Sequence, residues 1–321
     1  MKYMYYIIVN PASKTGRGQI IWEELQKELD RKKVEYTVFL TKKSGDATDY
    51  ARQLSSQSKQ EELNVIVLGG DGTMNEVVNG LENVEQVKLG YIPTGSSNDL
   101  ARATGIQTQP IQALEAIFRG DRVLQMDIGQ VTYDIAPQDS PTGERMSRSR
   151  RFCVSSGVGF DAAVCEEALH SKMKKLLNKL RLGKLTYLGI AVRQLMSGPT
   201  VPCRITLDHQ KEIILKKFLF VASMIHQYEG GGFKFCPDAN YEDGLLDICV
   251  VGELPKARMF RILPTAFKGN HLKFEHIDAY RAKTVDIQID EPIWLHTDGE
   301  VPCRTDKVQL TCLEKKMNLY Y

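Results

Sequence analysis

VIVLGGDGTMNE, running from Val65 to Glu76, passes from one structural state to another within twelve residues. Val65–Leu68 is short, apolar and mostly β-branched, the pattern of a strand buried on both faces of a parallel sheet. Gly69-Gly70-Asp71-Gly72-Thr73 ends it, and Met74–Leu81 reads as a helix. Glycine at 69, 70 and 72 lets the main chain press close against a ligand. A strand that turns this way into a helix presents backbone N–H groups and a positive helix end, both suited to phosphate. Asp71 would repel bare phosphate but suits phosphate carried with Mg²⁺. The plain alternative is a tight βα turn without a ligand. Five such residues directly after a buried strand favour the nucleotide site.

Outward from this turn the pattern repeats. Tyr5–Val9 is a buried strand broken at Asn10-Pro11, and an amphipathic helix is expected over Gln19–Arg31. Val34–Leu40 alternates as a strand, and Asp46 is placed to cap a helix over Ala47–Ser58. Val87–Ile92 is a further strand, followed by a second glycine turn at Thr94-Gly95. Such turns lie at the carboxyl edge of open α/β sheets, where ligands bind. Strand and helix alternate through Phe118, so residues 1–126 are expected to form a doubly wound α/β domain.

The texture changes at Val123. Asp127–Tyr133, Phe152–Val158, Cys203–Leu207, Lys217–Met224, Leu245–Val251 and Val285–Ile289 alternate as short strands. They predict a mainly antiparallel β-sandwich over residues 127–305. Pro137–Arg151, polar and arginine-rich, is expected to be a mobile hairpin tip.

Composition narrows the class. At 321 residues, with 42% hydrophobic and 26% charged side chains, the chain reads as a soluble two-domain protein. A net charge of +2 argues against a nucleic-acid binder. The 7 cysteines, without a CxxC pair, read as reduced core thiols of a cytoplasmic protein. Tyr5–Val9 and Phe218–Ile225 are far below the ~18 apolar residues of a membrane span. Ser171–Leu188 is a basic amphipathic stretch in which Lys172, Lys174, Lys175, Lys179, Arg181 and Lys184 interleave with leucines. It suits peripheral docking on an anionic membrane, with a solvated covering helix as the alternative.

GGDGTMNEVVNGL resembles the signature of the diacylglycerol kinase-like lipid kinases, which are related to NAD kinases and phosphofructokinases. NPASK (Asn10, Pro11, Ala12, Ser13, Lys14) resembles that family's first nucleotide loop, with Lys14 where glycine is usual. Thr41 and Gly45-Asp46-Ala47 resemble its T…GDA segment, whose threonine lies near the nucleotide. Thr94-Gly95-Ser96-Ser97-Asn98-Asp99 resembles its GTxND motif, with Ser96 for threonine and Leu100 for phenylalanine. Gly230–Phe233, Asp243–Asp247 and Asp298-Gly299-Glu300 follow in the family's order, and a last segment, 306–321, is expected to return onto the first domain.

The resemblance implies an ATP-dependent kinase acting on a lipid hydroxyl, most simply that of diacylglycerol, with Mg²⁺. It places the nucleotide against Asn10–Lys14, Thr41, Gly69–Thr73, Asn75, Glu76, Thr94, Gly95 and Asn98. It also implies a structural Mg²⁺ held by Asp243, the Leu245 carbonyl and Asn240. Asp71, Asp99 and Glu300 are the catalytic candidates. Asp71 is expected to organise Mg²⁺–ATP and Asp99 to be occupied at a helix start. Glu300, on a glycine turn of the second domain, is left as general base. Other acceptors (phosphatidylglycerol, a sphingoid base, NAD), a non-catalytic nucleotide- or lipid-binding regulator, and a homodimer stay open.

Overall fold

In the computed structural model, residues 4–57, 63–170, 190, 193–195, 198 and 200–321 are described. The basic run Lys172–Lys184 lies outside them. Among the described residues, β1 (Met4–Val9), β2 (Glu35–Leu40), β3 (Leu63–Gly69) and β4 (Val87–Pro93) pair in parallel in the order β4-β3-β1-β2. Helices cover both faces, which is why Val65–Leu68 of β3 is apolar on both sides. Ile66 and Leu68 pack with Trp22, Leu25 and Leu29 of α1 (Ser13–Arg31) and with Leu114 and Ile117 of α5 (Pro110–Arg119). Val65 and Val67 face the other way, onto Ala51 and Leu54 of α2 (Asp46–Gln57) and Met74 and Val77 of α3 (Asp71–Gly80). The short helix α4 (Asp99–Thr104) follows β4.

Two helices begin earlier than the sequence pattern suggests. α1 starts at Ser13 rather than Gln19, with Lys14 at φ 50° and Gly16 at φ 88° inside its first turns. α3 starts at Asp71 rather than Met74, so the glycine turn is itself the first turn of the helix. Apolar periodicity marks where a helix is buried, and these first turns carry polar residues and glycine.

The second half is antiparallel. β7 (Ser155–Gly159), β10 (Phe220–Met224), β11 (Leu246–Val251) and β12 (Ile277–Ala282) pair in sequence, and β7 pairs with the end of β13 (Thr284–Thr297). The beginning of β13 pairs instead with β8 (Val201–Leu207), itself paired with β9 (Lys211–Phe218). An irregularity between Gln288 and Ile293 lets this one strand serve two partners. β14 (Glu300–Tyr320) pairs with β13 at its start, and its end, Asn318–Tyr320, lies parallel to Lys88–Gly90 of β4. One hydrogen-bonded sheet of 14 strands therefore runs through both halves.

β5 (Val123–Ile135) and β6 (Met146–Phe152) form a hairpin beside β14. Its tip is pinned rather than mobile. Arg145 binds Asp306 through two hydrogen bonds of 2.6 and 2.7 Å, and Arg304 binds Asp139 through two of 3.0 Å. The planar guanidinium fork makes such pairs directional even at a surface. All seven cysteines are free thiols, and all but Cys165 are buried.

Candidate active site

The turns after β1, β3 and β4 meet at the carboxyl end of the parallel sheet. Asn10 folds onto its own loop by accepting the Ala12 N–H at 3.1 Å, and its amide donates to Thr73 Oγ1 at 3.1 Å. Ser13 and Thr94 share a hydroxyl hydrogen bond of 2.7 Å. A Cβ on Gly70 would lie 3.0 Å from the Gly95 Cα, so both turns need glycine to approach this closely. Asn98, itself at φ 49°, closes the second turn by accepting the Gly95 N–H at 2.8 Å. Lys14 adopts the left-handed conformation that glycine would take without strain. Thr41 sits at the same edge, its N–H bonded to the Val9 carbonyl at 2.9 Å.

The carboxylates are arranged differently from the sequence expectation. Asp99 does not cap α4. Asp71 does, accepting the Asp99 and Leu100 N–H groups at 2.9 and 3.4 Å. Asp99 instead binds Arg102 at 2.9 Å and accepts the Gly231 N–H at 2.8 Å, which brings the triple-glycine turn of the second half to the first. The left-handed Asn98 turns the chain so that helix N–H groups face Asp71 while the Asp99 side chain points across the cleft. Asp46 likewise leaves its helix uncapped and accepts the Lys42 and Lys43 N–H groups. Glu76 holds that end of α2, accepting the Gly45 and Ala47 N–H groups at 2.9 and 3.2 Å. Asn75 donates to the Arg151 carbonyl and to Asp298 rather than facing the turn.

Asp298 is the residue that the sequence reading passed over. Its carboxylate accepts the N–H groups of Cys153 and Val154 at 2.8 Å, that of Ser155 at 3.0 Å and the Asn75 amide at 2.8 Å. Arg150 and Arg151 complete the seam, reaching Asn75 Oδ1 and the Val78 carbonyl on α3 and the Leu81 carbonyl just past its end. The available signal for Asp298 was its place just before a glycine in HTDGE. Its φ is 49°, a strained turn position that asparagine, aspartate and glycine best tolerate. Two residues on, Glu300 Oε1 comes within 3.4 Å of where a Gly72 Cβ would stand, so this turn faces the first-half glycine turn.

Burial is the main cause that pushes Asp71 up to about 6, and the charges of Asp99 and Asp298 add to it against the two N–H bonds. Asp99 and Asp298 are themselves raised, first by burial. These buried acids stand beside phosphate-suited N–H groups and could hold a cation there. The second-half acids form a separate group. Asp243 folds onto its own loop, accepting the Leu245 N–H at 3.1 Å, and Asn240 accepts the Glu242 N–H at 3.2 Å. Asp127, buried beneath, accepts the Gly244 and Lys315 N–H groups at 2.7 Å.

A model of the diacylglycerol kinase catalytic domain matches residues 4–131, and one of the YegS C-terminal NAD kinase β-sandwich-like domain matches residues 154–319. The chain is 32% identical over 301 residues to the Bacillus subtilis protein named "Putative lipid kinase YtlR", covering 92% of this chain and 93% of that one. The chain belongs to the diacylglycerol kinase-like lipid kinases. It is also 30% identical to a diacylglycerol kinase of Staphylococcus carnosus, over 92% of this chain and 87% of that one. A Bacillus anthracis crystal structure described as a "putative diacylglycerol kinase" superposes with a TM-score of 0.73 at 24% identity, over 100% of this chain and 95% of that one. This last likeness concerns the fold. The lipid kinase has an N-terminal α/β domain and a β-sandwich-like second domain, and among its described residues no helix is long and apolar enough to cross a membrane.

Proposed function

We propose that this lipid kinase transfers the γ-phosphoryl group of ATP to a lipid hydroxyl, with diacylglycerol as acceptor. The observation that carries the reading is the meeting of Gly72 and Glu300 across the cleft. It sets a carboxylate from one half against the phosphate-suited turn of the other. The names of relatives at 30% identity supply the acceptor class.

Phosphoryl transfer needs alignment and charge neutralisation more than covalent chemistry. The N–H groups of Gly70–Thr73 and Gly95 would receive the phosphates, with Asn10, Ser13 and Thr94 fixing the turns. Mg²⁺, where bound, neutralises phosphate charge, and the acids around Asp71 fit it, since the charges of Asp99 and Asp298 push Asp71 up in its absence. Glu300 would accept the hydroxyl proton as the oxygen attacks. Asn240, Asp243 and the Leu245 carbonyl offer a hard-oxygen set for a second, structural Mg²⁺. The negative charge of Asp243 beside Asp127 makes that fit reasonable. Lys172–Lys184 would bring the enzyme to an anionic membrane from its cytoplasmic side.

The test is incubation of pure protein with labelled ATP, Mg²⁺ and micelles of diacylglycerol, phosphatidylglycerol or a sphingoid base. Label in phosphatidic acid supports the reading. Label in another lipid only would keep the kinase and change the acceptor. No labelled lipid at all would refute it.

A further inference from the structure

Beside the triple-glycine turn, the surface of the second half combines exposed apolar side chains with cations. From Ala257 to Phe274 the chain carries Arg258, Arg261, Lys268 and Lys273 and no acidic residue. A short helix, Lys256–Ile262, runs directly into the 3₁₀ helix Leu263–Lys268. Met259, Ile262 and Ala266 form its inward side and are buried. Phe260, Leu263, Pro264 and Phe267 form a second apolar row at steps of three and four residues, the spacing of neighbours along one side of a helix. Phe260 and Leu263 are half-buried, whereas Pro264 and Phe267 are exposed. Arg261 and Lys268 are exposed beside this row, and among the described residues neither has an acidic partner, while Arg258 pairs loosely with Glu275 at 3.9 Å.

One exposed phenylalanine on a surface is ordinary. Phe267, 49% exposed, differs in being the outer end of an aromatic column. Its ring centroid is 4.0 Å from that of Phe233, Phe233 is 5.7 Å from Phe235, and Phe235 is 5.3 Å from the fully buried Phe220. Stacked and edge-to-face rings at these distances attract one another. Phe233 fills the space beneath Phe267, which keeps the outer ring at the surface. The column is also tied to the site. Phe233 and Glu229 exchange two backbone hydrogen bonds of 2.9 Å and so close the Gly230–Gly232 turn, whose Gly231 N–H holds Asp99 at 2.8 Å. The Ala266 carbonyl accepts the Lys234 N–H at 2.9 Å, and Lys234 brings a further cation to this border, its Nζ 5.0 Å from the Tyr228 ring.

We propose that this patch is a membrane-contact surface, in which Phe267 enters the headgroup layer of an anionic bilayer and Arg261, Lys268 and Lys234 meet the lipid phosphates. An apolar wedge rimmed by cations is the composition of segments that lie in the plane of such an interface. Charge selects the occupant. A second copy of this chain, packed through the same patch, would set these cations against one another, whereas an anionic bilayer complements them. The surface is separate in the chain from Lys172–Lys184. Docked this way, the enzyme would take a lipid hydroxyl from the bilayer directly beside the turn that holds Asp99. That use of the contact rests on the lipid acceptor proposed above; the binding itself does not.

The test is sedimentation with phosphatidylserine-containing vesicles and with vesicles of phosphatidylcholine alone. It compares wild type, Phe267→Ser, Phe267→Trp and the double variant Arg261→Gln with Lys268→Gln. Each cation near an anionic surface is worth ~5-fold in binding, so the double variant should bind the anionic vesicles ~25-fold more weakly at low salt. Removing the exposed half of a phenylalanine should weaken binding ~10-fold in Phe267→Ser. Phe267→Trp should bind as wild type does, and its added emission should move to the blue with anionic vesicles as the indole leaves water. Turnover of vesicle-borne diacylglycerol should fall in Phe267→Ser, while that of a dispersed short-chain diacylglycerol stays near wild type. If Phe267→Ser does not fold, the double variant, changed only at exposed positions, decides. Partitioning of these variants equal to that of wild type overturns the proposal, and so does an introduced indole whose emission ignores vesicles. Loss of a dimer in Phe267→Ser with vesicle binding intact also overturns it and gives the patch to a second copy. If wild type binds vesicles through this surface yet phosphorylates neither form of diacylglycerol, the acceptor reading fails and the surface stands.

Discussion

Asp71 is where stability and function pull in opposite directions. Its folded-state value, about 6, lies above the ordinary carboxyl value, chiefly through burial. A raised value means that the fold favours the neutral form. This group therefore supports stability fully at low pH, and that support is lost as pH rises through about 6. The loss is on the order of 3 kcal/mol in the cation-free protein. Asp71→Asn keeps an oxygen for the α4 N–H groups but no charge. It should raise the melting temperature of metal-free protein near pH 8, converge with wild type near pH 4, and abolish turnover. A melting difference of the same size at both pH values would sink the electrostatic account. Glu300→Gln should do something different, lowering kcat by ~10²–10⁴ while KM for ATP holds. Retained kcat with weakened ATP affinity would move the base to Asp99.

At the scale of elements, the seam between α3 and the β13–β14 turn depends on one carboxylate. Asp298→Ala strands three backbone N–H groups and the Asn75 amide at once. Buried donors without partners, at ~1–3 kcal/mol each before relaxation, should lower stability by on the order of 3 kcal/mol in chemical denaturation. A change below ~0.5 kcal/mol would mean that water replaces the carboxylate. This seam also marks the limit of what the sequence makes legible. The glycine turns can be read because each needs its glycines for a local reason: Gly70 and Gly95 nearly touch. Asp298 and Asn75 meet across 223 positions, and Glu76 caps a helix that begins 30 residues before it. Acids beside helix starts, Asp46 and Asp99, look like caps by local rules, yet both caps come from α3. Proximity in sequence favours a local cap, and only the packing of α3 against α2 and α4 overrides it.

For the whole molecule, the expected approach to lipid rests on Lys172–Lys184. Each basic residue near an anionic surface contributes ~1 kcal/mol. Neutralising Lys174, Lys175 and Lys179 together should weaken sedimentation with phosphatidylserine-containing vesicles, most clearly at low salt. Unchanged partitioning would identify the run as a covering helix. A further consequence follows from the end of β14 lying parallel to β4. As the chain emerges from the ribosome, β4 is made more than 200 residues before the strand that covers its outer edge. Through most of synthesis the nascent α/β domain therefore exposes an apolar, unpaired strand, a template for pairing with other chains. Folding of the nucleotide half must wait for the far end of the message, and this kinase is expected to lean on chaperones until that strand arrives.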